Sequence, residues 1–464
     1  MSGINGHDNG LTNEGAFIQI KPENGYDGFE GWGTSLAWWG HIVGQWSDRD
    51  KQDEIMDLIF DADKGLGLNI IRYNIGGGEN PEIQPNTLRP GGDVPGFQPE
   101  KGIWNWSADE GQRKVLLAAM KRGADIAEAF SNSPPYWMTI SGSVTGAEDG
   151  GNNLREECYE PFADYLTEVV KHYKDVHGVA FRTLNPLNEP ISNWWKKGNI
   201  QEGAHFSLDK QMEIIKLTAR SLQLKGLTET AVSAPDENSV DETLEMLHGY
   251  DEETFNSFSQ INTHSYNGVQ LEEIRMLAQE KGKKLWMSEY GTGGTEPHDH
   301  GDMTSVMELA ERIITDLRLL QPAAWVYWQA VEDESARNNW GFIHTDFRHG
   351  DGQYEMTKQY YAMAQFSKFI RPGSRILWLD DRDSIAAYDE ARKQLTVVAH
   401  NREGQRQIRY DLGPFVHGDA AAKLYRTSEL ENLVEAELSI HSNTFTVNLE
   451  AQSVTTVVIA NVTL

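Results

Sequence analysis

The feature that most constrains this sequence is an alternation. Eight short apolar runs rich in β-formers are separated by longer stretches of helical period. The runs fall at residues 29–35, 69–75, 125–131, 181–188, 230–234, 261–265, 284–289 and 323–328. Between them, residues 160–173 place Phe162, Tyr165, Leu166, Val169 and Tyr173 on one helical face. Residues 304–320 do the same with Val306, Leu309, Ile313 and Leu317. Parallel strands need a crossover between them, usually a helix, and eight βα units are the number that closes a barrel. The predicted fold is therefore α/β, a (β/α)8 TIM barrel over residues 26–371.

After Arg371-Pro372-Gly373 the pattern changes to short alternating runs at 395–400, 407–411, 423–426, 445–449 and 454–459. Turn residues separate them, as in an antiparallel β-sandwich. The run 16–20 precedes the barrel and is assigned to the same sheet. The side domain is thus expected to combine both termini, 1–25 plus 372–464. One barrel and one smaller domain suit 464 residues better than three equal domains.

Several classes of function are excluded. No apolar run approaches the ~20 residues that cross a bilayer. The net charge of −29, from 41 basic and 70 acidic residues, opposes nucleic acid and anionic membranes. The first ten residues have no basic or apolar leader region, so the chain as it stands reads as cytoplasmic; a signal removed upstream would make it secreted. The single cysteine, Cys158, lies among carboxylates that disfavour a thiolate, and is read as structural. Gly76-Gly77-Gly78 lacks the spacing of a phosphate loop. His298-Asp299-His300 are adjacent in a polar loop, which rarely aims three ligands at one ion. No cofactor and no metal are expected.

Barrel active sites form where the strands end, at the C-terminal face. The first strand leads into Trp38 and Trp39, the second ends in Arg72, Tyr73 and Asn74, and the third leads to Trp137. The fourth ends in Asn188, Glu189 and Pro190, and the sixth offers His264 and Tyr266. The seventh ends in Ser288, Glu289 and Tyr290, and the eighth in Tyr327, Trp328 and Gln329. Two carboxylates, Glu189 and Glu289, therefore face each other across the barrel. Glycosidic cleavage needs such a pair, one acid to protonate the leaving oxygen and one carboxylate to attack or to activate water. The pair also needs its pKa values driven apart. Arg72 and Tyr266 are positioned to hold Glu289 ionised, whereas Pro186, Leu187 and Pro190 favour a neutral Glu189. Trp38, Trp137, Trp194 and Trp195 offer flat faces for sugar rings, with core packing as the alternative for any one of them.

The ordered set Asn188-Glu189-Pro190, Ser288-Glu289-Tyr290-Gly291 and Tyr327-Trp328 resembles glycoside hydrolase family thirty. That family consists of (β/α)8 retaining enzymes with a side β-sandwich built from both termini, so the resemblance covers nearly the whole chain. It implies Glu189 as acid/base and Glu289 as nucleophile, Asn188 on the sugar 2-hydroxyl, Tyr266 and Arg72 orienting the nucleophile, and Trp328 flooring the attacked sugar. His264 joins the substrate-binding set. The loop 193–198, followed by Gln201-Glu202-Gly203, is similar to the endo-β-1,6-galactanase branch. The substrate implied is β-1,6-galactan or arabinogalactan oligosaccharide, with Trp194 and Trp195 stacking on it and Asn74, Glu79 or Trp38 reading the axial 4-hydroxyl. A β-1,6-glucanase or xylanase of the same family, and a non-catalytic carbohydrate-binding barrel, stand as alternatives. The expected partner is a β-linked oligo- or polysaccharide, and neither nucleic acid nor membrane. Members of the family are often secreted, and the missing leader departs from that.

Overall fold

The structure is a computed structural model that describes residues 16–464, apart from 79, 85, 294–298, 335–339, 348–351 and 418–420. Glu79 and His298 therefore lie outside the described residues. Eight parallel strands pair in chain order and close on themselves. They are Gly31–Ser35, Ile70–Asn74, Ile126–Phe130, Thr183–Asn185, Ala231–Ser239, Gln260–Asn267, Lys284–Tyr290 and Ala324–Gln329. Each expected run overlaps one of them. Strands covered on both faces read as unbroken apolar runs, which is why the barrel shows in the sequence. The helix Tyr159–His177 buries all five residues of its predicted face and ends at Gly178, whose φ of 68° makes a left-handed C-cap. The segment 304–320 forms an α-helix, Met303–Thr315, that continues as a π-helical turn, Asp316–Leu320.

Two strands depart from expectation, and both departures shape the mouth of the barrel. The fourth is only Thr183–Asn185, since Pro186 has no N–H to give the ladder. The fifth does not stop at 234 but runs through Pro235 to Ser239, with register shifts between Pro235 and Glu237 and between Glu237 and Ser239. Bulges of this kind re-aim side chains beside active sites.

The barrel floor is apolar, made by Ile70, Trp286, Ala324 and Val326. Above it, in the middle of the third strand, sits the fully buried carboxylate of Glu128. It accepts from Arg72 Nε at 3.1 Å, Asn262 Nδ2 at 2.8 Å, Thr183 Oγ1 at 2.7 Å, Ser233 Oγ at 2.8 Å and Gln260 Nε2 at 3.1 Å. A buried charge is tolerated only with such pairing.

Beyond the barrel, Ala16–Gln19 pairs in parallel with Arg406–Asp411, which pairs antiparallel with Thr444–Leu449. A seven-stranded sheet runs Gly25–Tyr26, Arg375–Trp378, Ser384–Asp389, Gln394–Asn401, Ser453–Ile459, Ala422–Thr427 and Val434–Leu438. The two sheets share a core that includes Ile18, Leu377, Val397, Ile408, Val447 and Val457. The helix Lys358–Ser367 joins this layer to the barrel, with Gln365 bonded to Thr427 at 2.9 Å and to Thr456 at 2.9 Å. Cys158 is buried, and burial together with Glu157 pushes its thiol up, away from the thiolate. No helix among the described residues is long and apolar enough to cross a membrane.

Candidate active site

Glu189 and Glu289 meet at the C-terminal mouth of the barrel. A carboxylate oxygen of each and a ring nitrogen of His264 all lie within 4.8 Å of one another. Carboxyl groups about 5–5.5 Å apart suit direct attack by one of them, and about 6.5–9.5 Å leaves room for a water. The approach of the nearest oxygens here is compatible with the shorter spacing.

The backbone of Glu189 is fixed at unusual angles. Its φ is 48° and that of Asp236 is 71°, left-handed values that cost a residue bearing a β-carbon about 1–3 kcal/mol each. The two turns are tied together, since Glu189 N–H donates to the Asp236 carbonyl at 2.8 Å. Trp195 Nε1 donates to the Glu189 carbonyl, also at 2.8 Å. At the side chain, Glu189 Oε1 accepts from Asn238 Nδ2 at 2.6 Å and faces His264 Nδ1 at 3.1 Å.

Glu289 is held from the opposite side. Arg72 Nη1 donates to its Oε2 at 3.1 Å and the Tyr266 hydroxyl to its Oε1 at 3.1 Å. Arg72 is fully buried, and its other nitrogens bond Glu128 at 3.1 Å and Asp236 at 2.5 Å. His264 Nδ1 stands 3.6 Å from Glu289, and its Nε2 stands 3.2 Å from Asp236. Burial works against a charged imidazole, but Glu289 and Asp236 outweigh it and push His264 up to about 10. Burial likewise opposes ionisation of Asp236, and Arg72 and His264 hold that carboxyl down at about 2. His264 thus stands among three carboxylates, Glu189, Glu289 and Asp236.

Glu289 departs from the expectation that its two donors would hold it low. Burial pushes it up to about 7, Glu189 adds to the rise, and His264 and Arg72 only partly offset it. The contacts with Arg72 and Tyr266 are as expected, but the desolvation they work against is larger.

Four other expected site residues are placed differently. Trp195 is fully buried, packed against Gly203 so closely that a β-carbon there would meet its ring at 2.0 Å. It pins the Glu189 backbone and has no face for a sugar. Trp194, its neighbour, is 42% exposed and stands at the rim. Trp137 lines a separate cavity of about 630 Å³ on the barrel flank with Gln98, Trp104, Pro161 and Arg220. Asn74 and His264 have no exposed surface, so Asn74 cannot read a sugar hydroxyl and His264 acts only on the carboxylates. Asn188 lies 6% exposed with its Oδ1 lacking a hydrogen-bond partner. Trp328 and Trp38 form a T-shaped pair with centroids 4.9 Å apart.

Asp236, Asn238 and Glu128 were not anticipated as part of this site. The first two follow a proline that argues against a continuing strand. The only signal for them was a polar cluster, Asp236-Glu237-Asn238, at a strand end like those already read as functional.

Comparison with known proteins gives a consistent result. Residues 15–270 match the model of O-glycosyl hydrolase family 30. The chain is 31% identical over 419 residues to the endo-beta-1,6-galactanase of Hypocrea rufa, covering 85% of this chain and 83% of that one. Among solved structures, a conserved exported protein from Bacteroides fragilis aligns with a TM-score of 0.80 at 21% identity, covering 95% of this chain and all of that one (100%). The catalytic domain of GH30 xylanase C from Talaromyces cellulolyticus aligns with a TM-score of 0.72 at 18% identity, over 96% of this chain and 100% of that one.

Proposed function

The chain belongs to O-glycosyl hydrolase family 30 and is a glycoside hydrolase acting on carbohydrate, and from this we propose that it cleaves β-1,6-linked galactan by double displacement. The observation that carries the mechanism is the close approach of Glu189 and Glu289, one beside Asn238 and His264 and the other gripped by Arg72 and Tyr266. In this reading Glu189 protonates the departing oxygen while Glu289 attacks the anomeric carbon, giving a covalent glycosyl-enzyme. Glu189 then takes a proton from the water that releases the sugar. The free Oδ1 of Asn188 is left for the sugar 2-hydroxyl, and Trp328 floors the attacked ring. Trp194, at the rim beside the acid/base loop, faces the leaving-group side.

The likeness to the Hypocrea rufa enzyme supports galactose and the 1,6 linkage. The net charge of −29 supports a neutral polysaccharide over nucleic acid as partner. The test is kcat/KM on β-1,6-galacto- and β-1,6-gluco-oligosaccharides of equal length, with β-1,4-xylan as a third substrate. Galacto-oligosaccharides are expected to be the best of the three, and a preference for either of the others refutes the substrate.

A pH effect follows from the burial of Glu289. An attacking carboxylate must be ionised, so kcat/KM is expected to fall as the pH drops through the near-neutral range. His264→Asn removes a positive charge 3.6 Å from Glu289. The ionised form is then less favoured, its pKa rises, and the acid limb moves to higher pH. Profiles of kcat/KM against pH for both proteins check this, and an unmoved or acid-shifted limb refutes it.

A further inference from the structure

We propose that Arg89, stacked on Trp38, is the residue that reads the axial 4-hydroxyl of the sugar under attack, while Asn74 is sealed away. The assignment rests on the galactanase reading above.

Arg89 comes from the long loop after the second barrel strand, and its backbone N–H donates to Ile200 O at 2.8 Å, tying that loop to the one that follows the acid/base. Its guanidinium lies over the Trp38 ring, 4.1 Å from the centroid. Nη2 donates to Glu332 Oε1 at 2.5 Å. Glu332 is fully buried and is itself fixed by Gln329 Nε2 at 2.7 Å and by the Asp333 N–H at 2.7 Å. Gln329 Oε1 accepts from the Trp38 N–H at 3.3 Å, which closes a ring of contacts through Trp38, Gln329, Glu332 and Arg89. An arginine held by a stacked ring on its face and a carboxylate at one end has little freedom left to lose on binding.

This ring stands against the attacked sugar's floor. Trp38 meets Trp328 edge to face, and Trp328 packs beside Gly291, two residues from Glu289. Phe130 belongs to the same aromatic cluster and lies under the guanidinium of Arg72, 4.1 Å away. A pyranose with its anomeric carbon at Glu289 and its ring on Trp328 sends its opposite end, carrying the 4-hydroxyl and the 6-carbon, away from the carboxylates. In the proposed pose that end reaches Arg89, which stacks on Trp38. Its side chain is 14% exposed; Nη2 is held by Glu332 and Nε is buried, so Nη1 is the donor left to a ligand. An unfilled donor on a fixed guanidinium suits an oxygen that projects from the ring face, as the axial 4-hydroxyl of galactose does and the equatorial one of glucose does not. A site built to bond a hydroxyl rejects the analogue that lacks or misplaces it.

The test pairs the protein with an aryl β-1,6-galactobioside, its analogue deoxygenated at position 4 of the sugar bearing the aryl group, and the gluco counterpart. Removing the 4-hydroxyl is expected to lower wild-type kcat/KM by about 10–100-fold, the range of one hydrogen bond to a charged group. Arg89→Met is expected to lose a similar factor on the full substrate and almost nothing further on the deoxy analogue, as a shared interaction requires. Arg89→Met strands Glu332, so Arg89→Met/Glu332→Gln is measured beside it and should show the same selective loss. Equal loss on both galacto substrates, or losses that simply multiply, overturns the assignment. A wild-type enzyme that prefers the gluco compound overturns the galactanase reading and the assignment with it. A galacto preference that survives Arg89→Met overturns the assignment alone.

Discussion

Glu289→Ala is expected to lower kcat by about 10⁵-fold or more, the scale on which loss of a covalent nucleophile acts. Among the described residues, no other group within reach is placed to replace it. Arg72, Tyr266 and His264 are all donors arranged around its oxygens, and Glu189 is engaged with Asn238. In the wild type, a slow 2-fluoro-galactoside should leave one sugar mass on the peptide that contains Glu289, detected by mass spectrometry. Label on another carboxylate, or release of product with inverted configuration, would refute the role.

The second large effect depends on the substrate. Glu189→Ala should cost about 10²–10⁴-fold on oligosaccharides, whose departing oxygen is strongly basic, and far less on activated aryl glycosides, where proton donation matters little. Azide, small enough to enter the space left by the side chain, should restore turnover and give a glycosyl azide of retained configuration. The contrast between substrates is the diagnostic measurement. An equal fall on both, without rescue, would mean that Glu189 holds the site together and does not transfer the proton.

How much of this was legible in the sequence depends on the kind of burial. The eight barrel strands stood out because burial on both faces makes apolar runs, and Glu189 and Glu289 stood out because the first directly follows such a run and the second closes one. The expected fifth run ends at 234, and Pro235 gives no sign in the sequence that the strand continues, although the bulge beyond it is what delivers Asp236 and Asn238. Trp194 and Trp195 are adjacent and chemically identical, so nothing local told the exposed one from the one locked under Gly203. The rise of Glu289 escaped for a related reason. Its donors can be named from a sequence, but the desolvation that exceeds them belongs to the assembled barrel. Arg89 sits in an aperiodic loop, and only the partners that surround it mark it out.

Glu128 has a consequence for how the chain reaches this state. Three of its five donors, Ser233, Gln260 and Asn262, lie 105, 132 and 134 residues further along the chain. During synthesis, which proceeds from the N-terminus, the first four strands emerge with a carboxylate and a guanidinium at their centre and most of the matching groups still to come. That interior must stay wet until the sixth strand arrives, so early collapse into a dry half-barrel is disfavoured. The late arrivals are also checked for alignment. A slip of one residue in the fifth or sixth strand turns Ser233 or Asn262 to the outer face and leaves Glu128 short of a donor. A single carboxylate thus proof-reads the closure of the barrel, rejecting misaligned rings before the mouth that carries the chemistry is assembled.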